Sequence, residues 1–97
     1  MITLVAKYYA KPGKGGDVIE TLKKMAPLVK EREPGCKLYH ANQARDNADF
    51  ILLYEQYEDQ AAVENHRETP HYKEFIAGAC VPMLEKREVE FFEHRIG

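Results

Sequence analysis

Long apolar runs, cysteine and an excess of charge of either sign are all scarce in this sequence, and each scarcity excludes something. No apolar stretch approaches the roughly 20 residues a membrane-spanning helix needs, so no membrane association is expected. Lys and Arg number 14 against 16 Asp and Glu, a net charge of −2. Nucleic-acid and anionic-membrane binders need a basic face, so neither partner is expected. Cys36 and Cys80 are the only cysteines, and they have neither metal nor redox spacing and build no disulfide framework. Met1-Ile2-Thr3-Leu4 lacks the basic and apolar regions of a signal peptide, and a cytoplasmic address with reduced thiols is the expectation. Lys11-Pro12-Gly13-Lys14-Gly15-Gly16 misses the spacing of a phosphate-binding loop, and no Ser–His–Asp or Cys–His arrangement can be argued. The 97 residues make one domain, spanning 1–97. A domain of that size hides a modest fraction of its surface and often gains stability by oligomerising.

What is present is a regular alternation of strand and helix signals. Ile2 to Tyr9 is rich in β-branched and aromatic residues and reads as a strand. After the Pro-Gly turn, Asp17 with Glu20 three residues on reads as a capping box, and Val18, Leu22, Met25 and Val29 follow at helical spacing. Pro27 is expected to kink or break that helix near Ala26, and Glu33-Pro34-Gly35 to end it. Cys36–Ala44 and Phe50–Tyr57 read as strands joined in an antiparallel hairpin. Asp59 caps a helix from Gln60 to about Glu68, and Thr69-Pro70 restarts helical structure with Thr69 as N-cap. Tyr72, Phe75, Ile76 and Ala79 extend the apolar stripe, Pro82 ends it, and Glu88–Ile96 reads as a last strand. The order βαββαβ implies the ferredoxin-like α+β fold: a four-stranded antiparallel sheet with its helices on one face.

The free face of such a sheet should alternate apolar and polar residues. Here Val5 and Tyr9 stand opposite Leu4 and Tyr8, and Phe50, Leu52 and Tyr54 stand opposite Ile51, Leu53 and Tyr57. Both faces want burial, and the simplest cover for the second is another copy about a two-fold axis, so a homodimer is expected.

Few polar residues suit chemistry. His66 and His71 flank the break at Thr69-Pro70, where two short helices can point side chains into one space. At the second position of its helix, His71 meets the positive end of the dipole, which favours neutral imidazole, a form able to act as a general base. On spacing alone, a capping or surface histidine is the commoner explanation. Glu55 is a carboxylate in an otherwise apolar strand; it either pairs with Lys7 or Lys37 on a neighbouring strand or belongs to a site. Tyr39 and Tyr54 are candidates for lining a substrate, although tyrosines more commonly pack in cores. A metal site is not expected, because the two histidines lack a third ligand.

The ordered set Lys11-Pro12-Gly13-Lys14, Glu33-Pro34-Gly35-Cys36 with Tyr39, Phe50-Ile51-Leu52-Leu53-Tyr54-Glu55 followed by Tyr57-Glu58-Asp59, and His66-Arg67-Glu68-Thr69-Pro70-His71-Tyr72 with Phe75 resembles the antibiotic biosynthesis monooxygenase family. The resemblance implies a dimeric α+β barrel in which two such sheets pack face to face. It also implies a pocket between sheet and helices and, for some members, oxygenation of quinols or anthrones without metal, flavin or haem. On that resemblance His66 and His71 match the family's paired histidines and Glu55 its strand glutamate, with Tyr39, Tyr54 and Phe75 as further substrate-lining candidates. Tyr57 stands where many members carry tryptophan, and the chain has no tryptophan at all. That departs from the haem-degrading branch, whose site uses an asparagine–tryptophan–histidine set. The expected activity is therefore a cofactor-independent monooxygenase acting on a small aromatic phenol or quinol. An isomerase or lyase acting on a small, possibly phosphorylated, carbonyl metabolite, or a non-catalytic binding dimer, are the alternatives.

Overall fold

The structure, a computed structural model, describes residues 1–97. Four strands, β1 (Ile2–Ala10), β2 (Cys36–Gln43), β3 (Phe50–Tyr57) and β4 (Leu84–Glu93), form one sheet in the order β2-β3-β1-β4. Every neighbouring pair is antiparallel. Helix α1 (Gly15–Arg32) connects β1 to β2, and α2 (Gln60–Glu68) follows β3. After α2 come a π-helix (Tyr72–Cys80) and a 3₁₀ turn (Val81–Met83). This is the ferredoxin-like α+β arrangement expected from the element order. No helix is long and apolar enough to cross a membrane.

Burial follows strand parity. Leu4, Ala6 and Tyr8 of β1 and Ile51, Leu53, Glu55 and Tyr57 of β3 face the helices and are buried. Against them α1 lays Val18, Leu22, Met25 and Val29, a stripe at the 3.6-residue period, and the later helices add Val63, Ile76 and Cys80. Each of the fully buried apolar side chains contributes about 1.5–3 kcal/mol. The opposite sheet face carries Val5, Tyr9, Phe50, Leu52, Tyr54 and Phe92, with Tyr54 37% and Phe92 47% exposed and Tyr9 stacked on Phe50.

Three local expectations are corrected. Helix α1 runs unbroken through Pro27. Lys23, Lys24 and Pro27 are exposed, so water can satisfy the Lys23 carbonyl that proline cannot serve. Asp17 is not the cap either: the helix begins at Gly15, and Lys14 at the cap position makes no side-chain capping bond. The carboxylate of Asp49, from the β2–β3 connection, accepts instead from the amides of Gly13 (3.1 Å) and Gly15 (2.9 Å). Strand β4 starts and ends earlier than Glu88–Ile96, because β1 dictates its ladder, pairing Ala10 with Leu84 and Ile2 with Glu93.

The Asp49 clamp gives Gly15 a role. Gly13 adopts the left-handed conformation (φ +82°), and at Gly15 an added Cβ would meet the Ala48 carbonyl oxygen at 1.8 Å. Gly-to-Ala in a helix ordinarily stabilises by close to 1 kcal/mol. Here Gly15→Ala is expected to destabilise by about 3 kcal/mol, the upper end of overpacking costs, as a shifted urea midpoint.

Candidate active site

Two histidines converge because one threonine governs the break between their helices. The Thr69 hydroxyl donates to the His66 carbonyl (2.7 Å) and accepts from the Tyr72 amide (3.2 Å), closing α2 and opening the next helix. Both rings thereby turn inward, and His66 and His71 are each 4% exposed.

What they meet is Glu33. Its backbone closes α1, with its N–H donating to the Val29 carbonyl, and its side chain lies buried beneath α2. Glu33 Oε1 stands 2.8 Å from His66 Nδ1, and Oε2 stands 2.6 Å from His71 Nε2. Burial opposes ionisation of Glu33, but the hydrogen bonds from His66 and His71 outweigh it and hold the carboxyl below the usual carboxylate range. An ionised carboxylate only accepts, so His66 carries its proton on Nδ1 and His71 on Nε2. His71 Nδ1 is left buried without a partner, an environment a lone pair tolerates better than an N–H.

With Nδ1 committed, the other nitrogen of His66 is the free one. Nε2 lies 4.0 Å from Glu55 Oε1, beyond hydrogen-bond reach. Glu55 pairs with neither Lys7 nor Lys37. It accepts from the Tyr57 hydroxyl at 2.6 Å, while Lys37 pairs with Glu58 at 3.5 Å. Burial drives the Glu55 carboxyl above its usual range, against the opposing pull of Tyr57 and His66. The His66 ring is enclosed by Tyr72, Tyr57 and Tyr39 at centroid distances of 5.1, 5.3 and 5.8 Å.

These groups border a cavity of about 300 Å³ between the sheet and the later helices. Leu4, Ala6, Ile76 and Val89 give it apolar walls, and Tyr8, Tyr39, Tyr72, Glu55, His66, Arg67 and Arg87 give it polar ones. Burial first and the nearby Glu55 second raise the Tyr8 and Tyr39 hydroxyls well above the usual phenol range, so both remain hydrogen-bond donors. No group of three His, Cys, Asp or Glu side chains has an arrangement that could hold a metal ion.

Of the residues singled out in the sequence, His66, Glu55 and Tyr39 line the cavity. His71 stands behind it, connected to it only through Glu33 and then His66. Tyr54 is on the other face of the sheet, because strand parity sends it opposite to Leu53 and Glu55. Phe75 packs half-buried against the core. Sequence reading missed Glu33, Tyr8, Tyr72 and Arg87 as parts of the site. Glu33 did leave a signal: a carboxylate at the negative end of a helix dipole is unfavourably placed and implies another reason for being there.

The two buried carboxyls predict opposite pH slopes. Glu33 is lowered on folding, so between its folded and unfolded values the unfolded chain binds more protons, and stability rises with pH. Its contribution is complete above the unfolded value and is lost as pH falls through the folded one. Glu55 is raised on folding, so in the window above its unfolded value the folded chain binds more protons, and stability falls as pH rises. Urea unfolding across pH is expected to show Glu55→Gln losing the falling limb and keeping the rising one.

Comparison with known proteins agrees with this architecture. The family model for antibiotic biosynthesis monooxygenase matches residues 1–78. No curated protein matches the chain. Among solved structures, PA3566 from Pseudomonas aeruginosa is 27% identical, with a TM-score of 0.85 over 98% of this chain and 94% of its own. Rv0793 from Mycobacterium tuberculosis is 22% identical, with a TM-score of 0.86 over 99% and 96%. A Caulobacter crescentus protein, given as a candidate antibiotic biosynthesis monooxygenase, is 23% identical, with a TM-score of 0.88 over 98% and 90%. The last two likenesses speak to fold alone; the family match, running from β1 into the π-helix, carries the assignment, and by it this chain belongs to the antibiotic biosynthesis monooxygenase family.

Proposed function

We propose that the protein is a cofactor-independent monooxygenase that oxidises a small phenol- or quinol-type aromatic compound with O2. The observation that carries this reading is His66: its Nδ1 is fixed on a buried carboxylate, and its other nitrogen is free beside a partly apolar cavity. A neutral imidazole so oriented is suited to take a proton from an acidic hydroxyl. For a phenol with hydrogen at its para carbon, His66 accepts the hydroxyl proton, and the phenolate passes one electron to O2. The resulting phenoxyl radical and superoxide join at the para carbon, giving a peroxide. Loss of the proton at that carbon and cleavage of the O–O bond release hydroxide, which leaves as water with a returned proton. The sum is phenol plus O2 giving quinone plus water. Tyr8 and Tyr39 donate to the developing quinone oxygens, and the apolar walls keep the radical pair from water.

The exposed apolar face with Tyr54 and Phe92 is read as the contact of a homodimer, supported by its exposed aromatic side chains and its lack of helices. Sedimentation at micromolar concentration is expected to give twice the chain mass; a monomer there overturns that part. The free thiols of Cys36 and Cys80 suit a reducing cytoplasm. One observation favours a second reading, proton shuttling on a small anionic carbonyl compound: Arg67 and Arg87 both border the cavity.

Oxygen uptake by metal-stripped protein given a panel of phenols, quinols and anthrones, with autoxidation in buffer subtracted, decides between them. Saturable uptake is expected. Turnover without oxygen uptake supports the proton-shuttling reading, and no turnover of any kind overturns both in favour of a binding protein.

A further inference from the structure

The wall of the cavity formed by β4 and the end of α2 carries two cations. Arg67 and Arg87 line it, and the only carboxyl lining it is Glu55, which is already engaged by Tyr57. Neither arginine has a carboxylate within ion-pair reach: every ion pair in the chain is made by a lysine or a histidine. On β4, acids are at hand but on the other row. Glu88 and Glu90 share the far face with Lys86, where Glu88 accepts from Tyr9 and pairs with Lys86, whereas Arg87 stands on the helix-facing row with Val89 and Phe91. The Arg67 guanidinium is seated over the Phe91 ring, 5.5 Å from its centroid, and Arg87 stands beside the Tyr8 and Tyr72 hydroxyls. Both arginines are exposed while His66 is buried, so the cations mark the mouth and the imidazole the depth of one cavity.

Guanidinium groups match carboxylate and phosphate in shape and charge, and two of them without a carboxylate partner leave an anion site to be filled. We propose that the substrate carries an anionic substituent, a carboxylate or a phosphate, which Arg67 and Arg87 hold at the cavity mouth while the oxidisable ring reaches His66. This rests on the reading of the cavity as the substrate site and narrows it. About 300 Å³ lies at the lower end of small-molecule sites, which suits a single substituted ring.

Anaerobic calorimetric titration tests it without requiring turnover. The probes are hydroquinone, 2,5-dihydroxybenzoate and hydroquinone monophosphate, which share a ring and differ in charge. At least one charged probe is expected to bind about tenfold to a hundredfold more tightly than hydroquinone, the range for one charge-assisted hydrogen-bonded pair. The two charged probes identify which anion is preferred. In the Arg67→Gln/Arg87→Gln double variant the advantage disappears, because the charged probe loses at least about tenfold more affinity than hydroquinone does; both side chains are exposed, so the fold tolerates the change. Equal affinity for neutral and charged probes, no binding of either charged probe, or an advantage that survives the double variant overturns the proposal. Arginine-dependent binding without oxygen uptake leaves the anion site standing and overturns only the oxygenase reading.

Discussion

Replacing His66 by alanine is expected to lower protein-dependent oxygen uptake by roughly 10²–10⁴-fold, the usual contribution of a positioned general base. The argument is positional. His66 is the histidine that lines the cavity, its Nδ1 is held at 2.8 Å by Glu33, and its remaining nitrogen has no hydrogen-bond partner of its own. His71 occupies a different place. It donates to the far oxygen of the same carboxylate at 2.6 Å and does not border the cavity. His71→Ala is therefore expected to reduce stability more than turnover, and His66→Ala the reverse, when both are compared by oxygen uptake and urea unfolding. Equal losses of turnover in the two variants would overturn the distinction.

The second large effect is at Glu33 itself. Glu33→Ala takes the shared acceptor from two buried imidazoles and leaves two buried N–H donors unpaired, each at a cost of about 1–3 kcal/mol. Domains of this kind are stable by roughly 5–15 kcal/mol, so the variant is expected to unfold at far lower urea or fail to accumulate. Glu33→Gln separates the structural role from the chemical one. The amide keeps one acceptor oxygen but presents N–H to the other imidazole, so one histidine must change tautomer. If His66 is the one that changes, the proton moves to Nε2 and the base is lost; a catalytic imidazole in the wrong tautomer can cost about 10⁴ in turnover. A soluble, folded Glu33→Gln protein with unchanged kcat would show that the carboxylate matters to folding alone. Wild-type stability should also decline in acid as pH falls through the lowered Glu33 value, a decline the glutamine variant lacks.

Much of this protein follows from local pattern. The parity of Ile51, Leu53 and Tyr57 against Phe50, Leu52 and Tyr54, the 4-3-4 spacing of Val18, Leu22, Met25 and Val29, and the Asp59 and Thr69 signals were enough to order the elements. Period, caps and turns act within a few residues, so a linear reading can reach them. The resemblance drew attention to His66, His71 and Glu55 together, but spacing could not say which of them faces a cavity.

Only tertiary structure decided the rest, because the deciding contacts join residues far apart in the chain. Asp49 caps a helix 34 residues before it, and Glu33 meets His66 and His71 at separations of 33 and 38. Tyr54 and Glu55 are adjacent in sequence, yet the pleat of β3 puts them on opposite faces of the sheet. Arg67 and Arg87 become neighbours of one cavity only when β4 pairs with β1 beside α2. The sequence by itself determined where strands and helices form and which side chains can titrate. Packing determined which imidazole nitrogen is committed, which carboxyl is ionised and which charges are left without partners, since burial and distance set those free energies and neither is a local property.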